Sequence, residues 1–294
     1  MEWYPAPAKL NLFLHVLGRR ADGYHLLQTV FRLIDRADEV GIAARRDGVI
    51  RRIDETPGVA ADTDLCLRAA HSLREHARSR LGAAATDLGA DIGLRKNLPI
   101  GGGLGGGSSD AATVLMVLNQ AWGLGLGPEA LMGLGLGLGA DVPVFIFGRN
   151  ALGEGVGERL VALALPPAWF LVLAPQVSVS TKEIFGSSAL TRDTKRLKLP
   201  PFFPGLGKND LQPVATALYP QIAAHLAWLA NHGDARMTGS GACVFAQFDT
   251  EEKALAVKAK MPGGMLGFVA RGLDEHPLRG RFAAAQQESG TAGR

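Results

Sequence analysis

The chain has 294 residues, too long for one small core, so two domains are expected. Hydrophobic residues make up 47% and charged residues 20%, as in an ordinary globular enzyme. The net charge is only +3, and no Lys/Arg run is interleaved with aromatic residues, which argues against nucleic-acid binding.

Targeting and redox signals are weak throughout the sequence. The first residues, MEWYPAPAKLN, lack the basic and apolar regions of a signal peptide, and no apolar stretch reaches the roughly 18 residues that span a bilayer. Cys66 and Cys243 lie in apolar stretches, and no Cys/His cluster has zinc spacing, so we expect two reduced core thiols. These features predict a cytoplasmic protein without a membrane partner or a tightly bound metal.

Strands dominate the first 60 residues. Polar and apolar side chains alternate from Lys9 to Val16, which predicts a half-buried strand, and a second strand is expected from Tyr24 to Ile34. Thr63 or Asp64 is a candidate cap for a helix that runs to about Leu81.

The middle of the chain predicts a short strand and two helices. Ile92 and Leu94 alternate with polar neighbours in a strand that ends before Pro99. A helix is expected from Ser108 to about Trp122, with one apolar face. Leu and Gly then alternate as in a strand, but Pro128 with an acidic neighbour favours a helix there.

The second half predicts helices on one side of an antiparallel sheet, which is an α+β domain. The basic, proline-rich segment from Arg192 to Gly207 is expected to be a surface loop, and the segment from Ala283 a frayed tail. The expected strands are Phe170 to Leu173, Ala242 to Phe248 and Gly267 to Leu273, and the expected helices are Ala215 to Ala230 and Glu251 to Lys260.

The strongest local signal is the glycine-rich stretch LPIGGGLGGGSSDAA, Leu98 to Ala112. Such a run is costly to order, but it exposes backbone N–H groups and leaves room for a ligand. Ser108 and Ser109 follow as candidate caps of a helix whose N-terminus favours an anion. The stretch therefore predicts a phosphate cradle.

Three other kinds of glycine loop are alternatives to this interpretation. Gly101, Gly103 and Gly106 fit the dinucleotide fingerprint, but almost any glycine run does, and this one does not follow the first strand of a βαβ unit. A Walker A loop needs Gly-Lys-Ser/Thr, where Gly107 and Ser108 stand instead. A flexible loop without a ligand remains the third alternative.

Four blocks of sequence, in order along residues 5 to 248, carry a resemblance to known kinases. The Pro-x-GGGLGGG-Ser-Ser loop and the later segment GSGACVFAQF resemble two motifs of the GHMP kinases. PAPAKLNLFLHVLGRRADGYHLLQTVF, and GADVPVFIFG followed by GEGVGERL, resemble the diphosphocytidyl-methylerythritol kinases of that superfamily. The resemblance implies an α+β, two-domain GHMP kinase fold.

The resemblance also implies domains and site residues. Residues 1–156 would form a ribosomal-S5-domain-2-like ATP-binding domain, residues 157–282 a ferredoxin-like domain, and residues 283–294 a flexible tail, with the site between the two domains. The implied residues are Lys9 and Asp141 as the catalytic pair; Asn11, Tyr24, His25, Thr181 and Phe185 at the substrate; Lys96, Pro99, Gly101, Gly102, Gly103, Leu104, Gly105, Gly106, Gly107, Ser108 and Ser109 at ATP; and Gly239, Ser240 and Gly241 as the second-domain turn.

The residues themselves leave alternatives open. Lys9 could be a surface charge at a strand end, and Asp141 a helix-end cap or half of a structural ion pair. Mg²⁺ should accompany ATP, with Ser108, Ser109 or Asp110 as candidate contacts, and no metal ligand is assigned. Asp64 stands where relatives often have Asn, so it could replace only the acceptor part of a contact to adenosine.

The implied activity is ATP-dependent phosphorylation of the 2-hydroxyl of 4-diphosphocytidyl-2-C-methylerythritol by a monomer or weak homodimer. The alternatives are a GHMP kinase for mevalonate, homoserine or a sugar, a nucleotide-binding module without turnover, and a dinucleotide oxidoreductase. Tyr24, His25, Thr181 and Phe185 favour the first, because the other kinases have no cytidine to bind.

Overall fold

A computed structural model describes residues 1–54, 63–198 and 205–280. The expected tail at 283–294 and the centre of the proline-rich loop lie outside these ranges. The strands are β1 Glu2–Arg19, β2 His25–Arg45, β3 Ile50–Arg52, β4 Gly89–Arg95, β5 Ala151–Gly155, β6 Arg159–Ala162, β7 Trp169–Leu173, β8 Arg236–Met237, β9 Val244–Phe248 and β10 Gly267–Arg271. The helices are α1 Leu65–Leu81, α2 Gly106–Ala121, α3 Pro128–Leu138, α4 Val142–Phe147, α5 Thr181–Gly186, α6 Gln212–Leu218, α7 Pro220–Ala230 and α8 Glu251–Lys258.

The first sheet is built around the long strand β2. It has the order β3-β4-β2-β5-β6, and β1 pairs with β2 off this path. β1 runs antiparallel along β2, β4 pairs with its second half, and β5 pairs with its first half. Helices α1 and α2 pack on this sheet, and α3 and α4 pack on those two helices. Apolar residues of the sheet and the four helices form one large core.

The second sheet is antiparallel and has the order β10-β7-β9-β8. In chain order these strands alternate with helices as β7, α5 to α7, β8, β9, α8 and β10, which gives the 4-1-3-2 strand order of a ferredoxin-like domain. The α+β prediction is confirmed. None of the described helices combines the length and apolar character that a membrane span requires.

Strand β1 is buried on both faces, so the prediction of a half-buried strand was wrong. Leu10 packs in a cluster with Phe170 and Phe245 of the second sheet. β-Bulges interrupt the pairing of β1 between Pro7 and Ala8, between Asn11 and Leu14, and between Val16 and Gly18. Bulges re-aim side chains, so simple alternation does not describe this strand.

Local signals predicted α1 and α3 well. Asp64 caps α1 by accepting hydrogen bonds from the backbone N–H groups of Cys66 and Leu67. α3 starts at Pro128, as expected, in spite of its glycines. Cys66 and Cys243 are free and buried, as predicted.

Two helix predictions were wrong in detail. α2 begins at Gly106 with Gly105 at the N-cap, and Ser108 and Ser109 lie inside its first turn rather than capping it. The helix expected over 215–230 is two helices, α6 and α7, because Pro220 cannot continue the ladder of hydrogen bonds.

The expected domain boundary at residue 156 falls between β5 and β6, which pair with each other in the first sheet. We propose a boundary between Ala162 and Trp169 instead. The end of the described chain also returns to the first half, where Leu278 joins the first core and His276 N–H donates to the Gly148 carbonyl.

Candidate active site

A cavity of about 610 Å³ lies where β1, the glycine loop and the glycine turn before β9 meet. Ser109, Tyr24 and His25 do not line it. The predicted site residues that do are Lys9, Asn11, Lys96, Pro99, Gly101 to Ser108, Asp141, Thr181, Phe185, Gly239, Ser240 and Gly241.

Lys9 is the charged residue at the centre of this cavity. Its side chain is 2% exposed, and its Nζ lies 3.1 Å from Oδ2 of Asp141. The ammonium also donates to Oδ1 of Asn11 at 2.6 Å and to the carbonyl of Gly103 at 3.2 Å. These contacts match its three protons. Lys9 is therefore a fixed, partnered residue and not a surface charge.

Asn11 holds Lys9 in place and is itself held. Its Nδ2 donates to Oγ1 of Thr29 at 2.9 Å, and that hydroxyl donates to the Phe13 carbonyl at 2.5 Å. The backbone N–H of Asn11 donates to Oγ1 of Thr238, which belongs to the second half of the chain. These hydrogen bonds tie the middle of β1 to the neighbouring strand β2 and to the second half of the chain.

Asp141 stands directly before α4, but its side chain makes no capping hydrogen bond. This excludes the helix-end cap as its role. The carboxylate is 35% exposed and faces the cavity beside Lys9. It is the accessible member of the pair, so it can meet a ligand while Lys9 stays buried.

The glycine loop needs glycine for conformation and for space. Gly101, Gly103 and Gly105 have φ of +69°, +74° and +73°, a region that other residues rarely adopt. A Cβ on Gly103 would lie 2.2 Å from the Thr238 carbonyl oxygen. The loop therefore packs backbone to backbone against the turn that contains Gly239.

The loop ends at the N-terminus of α2, where the first N–H groups of a helix have no partner within the helix. Gly106 and Gly107 form the start of this helix and carry no side chain that would cover those groups. Together with the helix dipole, these N–H groups favour an anion such as a phosphate.

Lys96 is engaged by two buried carboxylates. Its Nζ donates to Asp110 at 2.8 Å and to Asp38. Burial opposes the charge on Lys96, but Asp110 and Asp38 outweigh it and raise the lysine pKa. The single ammonium of Lys96 pairs with two carboxylates. Burial raises the pKa of Asp110. Lys96 is thus part of the cavity wall, with its charge already compensated.

Of the residues expected at the cytidine, Asn11, Thr181 and Phe185 line the cavity, whereas Tyr24 and His25 lie outside its lining. Tyr24 is 63% exposed, whereas His25 is buried with its ring centroid 4.9 Å from that of Phe185. The hydroxyls of Thr181 and Ser240 lie 2.8 Å apart, so α5 is linked to the second-domain turn. Phe185 links His25 to the cavity, because its ring lies beside that of His25 and also lines the cavity.

Comparison with known proteins identifies the family. The profile described as GHMP kinases N terminal domain matches residues 64–149, and the profile described as GHMP kinases C terminal matches residues 201–265. A 4-diphosphocytidyl-2-C-methyl-D-erythritol kinase from Nitrosospira multiformis is 57% identical over 277 residues, which cover 93% of this chain and 92% of that relative. The chain belongs to the GHMP kinase family.

Solved structures agree with this assignment. A crystal structure of 4-(cytidine 5'-diphospho)-2C-methyl-D-erythritol kinase matches with a TM-score of 0.72 and 32% identity, covering 92% of this GHMP kinase and 99% of that chain. A crystal structure of mevalonate kinase matches with a TM-score of 0.66 at 16% identity, covering 94% and 100%. The second likeness shows the shared fold alone.

Sequence reasoning missed several residues around the site of this GHMP kinase. Thr238 directly precedes the glycine turn, and this position in the sequence could have identified it as a site residue. Asp38 accepts from the backbone N–H groups of Asn97 and Leu98 as well as from Lys96, but it stands in an unremarkable polar stretch. Arg192 donates to Nε2 of His25, and nothing in its basic segment distinguishes it from its neighbours.

Asp64, expected from the resemblance to replace an Asn, has a structural role in this GHMP kinase. Its Oδ2 accepts from Arg52 at 2.5 Å, while Oδ1 caps α1. Both carboxylate oxygens therefore already accept hydrogen bonds within the protein, although Asp64 lines the same cavity.

Proposed function

We propose that the chain is an ATP-dependent kinase that phosphorylates the 2-hydroxyl of 4-diphosphocytidyl-2-C-methyl-D-erythritol, a step toward isoprenoid precursors in the methylerythritol phosphate pathway. One observation carries the proposal: the Lys9–Asp141 ion pair lies in the same cavity as the glycine loop. Phosphoryl transfer needs a positioned hydroxyl, a held phosphate chain and stabilised charge, and this combination supplies all three.

In the proposed reaction, the substrate hydroxyl lies against Asp141. Its oxygen attacks the γ-phosphorus of ATP, the bond from that phosphorus to the β-phosphate oxygen breaks, and ADP leaves. Asp141 orients the hydroxyl and accepts its proton late in the step. Lys9 holds the carboxylate in this orientation and contributes positive charge near the transferred phosphoryl group.

The glycine loop would hold the phosphates of ATP. Gly105 supports this role because a Cβ there would lie 2.9 Å from the Phe145 ring and 3.1 Å from Cε of Lys9. There is therefore no spare room for a side chain between the loop and the catalytic lysine. Backbone N–H groups at the start of α2 would bind the phosphate oxygens.

Magnesium would arrive with ATP. Among the described residues there is no group of three or more His, Cys, Asp or Glu side chains suited to a resident metal. Mg²⁺ prefers oxygen ligands and usually keeps several waters. Of the expected contacts, Ser108 lines the cavity and fits such a role, Ser109 is fully buried, and Asp110 lines the cavity but is engaged by Lys96. Asp141 also lines the cavity and fits the role. When bound, the ion would neutralise charge on the phosphates.

Tyr24, His25, Thr181 and Phe185 would bind the cytidylated substrate. Phe185 lines the cavity, and its ring lies beside His25, so aromatic surface and a polar ring edge occur together. Stacking on an aromatic side chain contributes about 1–3 kcal/mol per base in other proteins. The 57% identity to a 4-diphosphocytidyl-2-C-methyl-D-erythritol kinase supports this substrate over mevalonate, homoserine or a sugar. A monomer or weak homodimer and a cytoplasmic location stay predictions.

A coupled ADP-release assay tests the function. The cytidylated substrate, mevalonate and homoserine are compared with the same enzyme, with reactions lacking ATP as the blank. We expect ADP release that depends on the cytidylated substrate, with a product that carries one additional phosphate by mass spectrometry. Turnover of mevalonate or homoserine at an equal or higher kcat/KM would overturn the substrate assignment.

A further inference from the structure

The proposed cytidine site contains an arginine that sequence reasoning did not select. We infer that Arg192 is a positioning residue for cytosine recognition: its guanidinium fixes which nitrogen of His25 carries the proton and holds Phe185 beside it. This inference rests on the proposed function for its substrate. Its structural part, the state of His25, stands without any substrate.

The contacts of Arg192 converge on the cytidine group. Its Nε donates to Nε2 of His25 at 3.1 Å, and its Nη2 donates to the carbonyls of Phe185 at 3.0 Å and Ser187 at 2.8 Å. Its Nη1 donates to the Leu190 carbonyl at 3.1 Å. Within the described ranges, no carboxylate lies within 4.0 Å of this guanidinium, so its hydrogen bonds go to neutral acceptors.

The bond to His25 determines the tautomer. An arginine side chain only donates, so Nε2 of His25 must accept and carries no proton. In a neutral imidazole the proton is then on Nδ1. Burial, followed by the charges of Arg192 and Arg19, lowers the pKa of His25 and keeps the ring neutral. The ring thus offers one fixed donor.

A fixed donor distinguishes the two pyrimidines. Cytosine has a bare ring nitrogen where uracil has a ring N–H. The Nδ1–H of His25 can donate to the former, whereas it would meet a second donor in the latter. A site that hydrogen-bonds its substrate in this way discriminates strongly, because the wrong analogue leaves polar groups unpaired.

The same guanidinium also sets the place of Phe185. This residue lies near the end of α5, and Arg192 ties its carbonyl and that of Ser187 together across the turn that follows. The rings of His25 and Phe185 then sit 4.9 Å apart with 35° between their planes. A lysine would keep the charge but could not reproduce this fork of donors.

The experiment compares Arg192→Ala and Arg192→Lys with the wild type, and Arg196→Ala is the matched control. Arg196 lies in the same segment but pairs with Glu154, away from His25. The first measurement is the ¹⁵N spectrum of the His25 ring without substrate. We expect protonated Nδ1 in the wild type and the control, and a shift toward protonated Nε2 in both Arg192 variants.

The second measurement is steady-state kinetics with the cytidylated substrate, its uridine analogue and ATP. We expect the two Arg192 variants to raise KM for the cytidylated substrate about 5–10-fold, the effect of a lost hydrogen bond with its geometry. The preference for cytidine over uridine should fall at least threefold. The KM for ATP and kcat should stay within about twofold.

The possible outcomes test the role of Arg192 and the proposed function separately. An unchanged His25 tautomer in both Arg192 variants overturns the inference, and so does an equal rise of KM for the cytidylated substrate and for ATP, which indicates a general loss of structure. Circular dichroism identifies a variant that fails to fold, and the milder Arg192→Lys then carries the test. A wild-type enzyme with the expected tautomer but no activity on the cytidylated substrate would reject the proposed function alone.

Discussion

The Nζ of Lys9 and the Oδ2 of Asp141 lie 3.1 Å apart, although one residue is on β1 and the other precedes α4. Lys9 is fully enclosed, and Asp141 is partly open to the cavity. The pair is thus arranged with a fixed cation behind an accessible carboxylate. A carboxylate in this position can meet a hydroxyl group, whereas the lysine holds the carboxylate from behind.

Replacing Asp141 by Asn should leave ATP binding intact and lower kcat by about 10²–10⁴, the range for a lost acid–base group. The amide has nearly the same shape, but it carries no charge and accepts a proton poorly. Steady-state kinetics and titration with a non-hydrolysable ATP analogue provide the two measurements. A variant with kcat near that of the wild type would remove Asp141 from the proposed mechanism.

Replacing Gly105 by Ala should weaken ATP binding, because the added Cβ would press on the Phe145 ring and on Lys9. The φ of Gly105 is +73°, so some loss of stability comes from the backbone alone. Gly123→Ala is the matched control, since its φ is +69° and nothing lies within 4 Å of its Cβ. We expect both variants to lose thermal stability, Gly105→Ala the more because of its contacts with Phe145 and Lys9, and at least a tenfold rise in the ATP dissociation constant for Gly105→Ala only. Equal affinity in both variants would show that the loop does not bind the phosphates.

Sequence signals from a few neighbouring residues correctly predicted where two helices start. Asp64 and Pro128 mark the starts of α1 and α3 because a cap and a first-turn proline act within a few residues. The two-sided burial of β1 could not be predicted in this way. It depends on Phe170 and Phe245, which approach only when the second sheet packs against the first.

The glycines of α3 give a stability prediction with an internal control. Gly133 is exposed, and a Cβ added there would have nothing within 4 Å, so Gly133→Ala should stabilise the fold by about 1 kcal/mol. A Cβ on Gly135 would lie 2.7 Å from Val142 Cγ1, so Gly135→Ala should destabilise it by about 1–3 kcal/mol. Urea unfolding measures both. Two changes of the same sign would contradict this packing of α3 on α4.

The buried His276 predicts a pH dependence of stability. Burial lowers the pKa of its imidazole to about 4, and its Nδ1 accepts from the backbone N–H of Leu278. The unfolded chain therefore binds a proton near pH 6.5 that the folded chain does not bind until about pH 4. Stability from this group is fully present above pH 6.5 and falls as the pH drops to 4, by roughly 3 kcal/mol.

His276→Asn tests this directly, because the amide keeps an acceptor for Leu278 but does not titrate in this range. Urea unfolding of the wild type and the variant is compared at several values between pH 4 and pH 7.5. Between pH 7.5 and pH 4, we expect the free energy of unfolding to fall by roughly 3 kcal/mol less in the variant than in the wild type. Parallel pH profiles for the two proteins would show that His276 does not contribute.

The site illustrates a second limit of sequence reasoning. The resemblance pointed to Lys9, Asp141 and the glycine loop because each lies in a distinctive block of sequence. In the structure they line one cavity. Arg192 and Asp38 stand in ordinary polar stretches. Their importance comes from the neighbours that folding gives them, and no spacing in the chain encodes that.

Tyr24 offers a test of the cytidine site that is separate from stability. Its side chain is 63% exposed, so removing it should change the free energy of unfolding little. If the ring stacks on the base, its loss should cost about 1–3 kcal/mol of binding, which corresponds to a rise in KM of roughly 5-fold to 150-fold. Tyr24→Ala should therefore raise KM for the cytidylated substrate, and Tyr24→Phe, which keeps the ring, should remain close to the wild type.

The uridine analogue completes this test, because stacking and hydrogen bonding make different demands on the base. Cytosine and uracil have similar ring faces, so Tyr24→Ala should weaken both substrates by a similar factor and leave their ratio almost unchanged. His25→Ala should instead reduce the preference for cytidine, which we expect to be at least about tenfold in the wild type. Steady-state kinetics with both substrates and with ATP measures these ratios. If Tyr24→Ala raised KM for ATP as much as for the cytidylated substrate, the aromatic ring would not belong to a cytidine site.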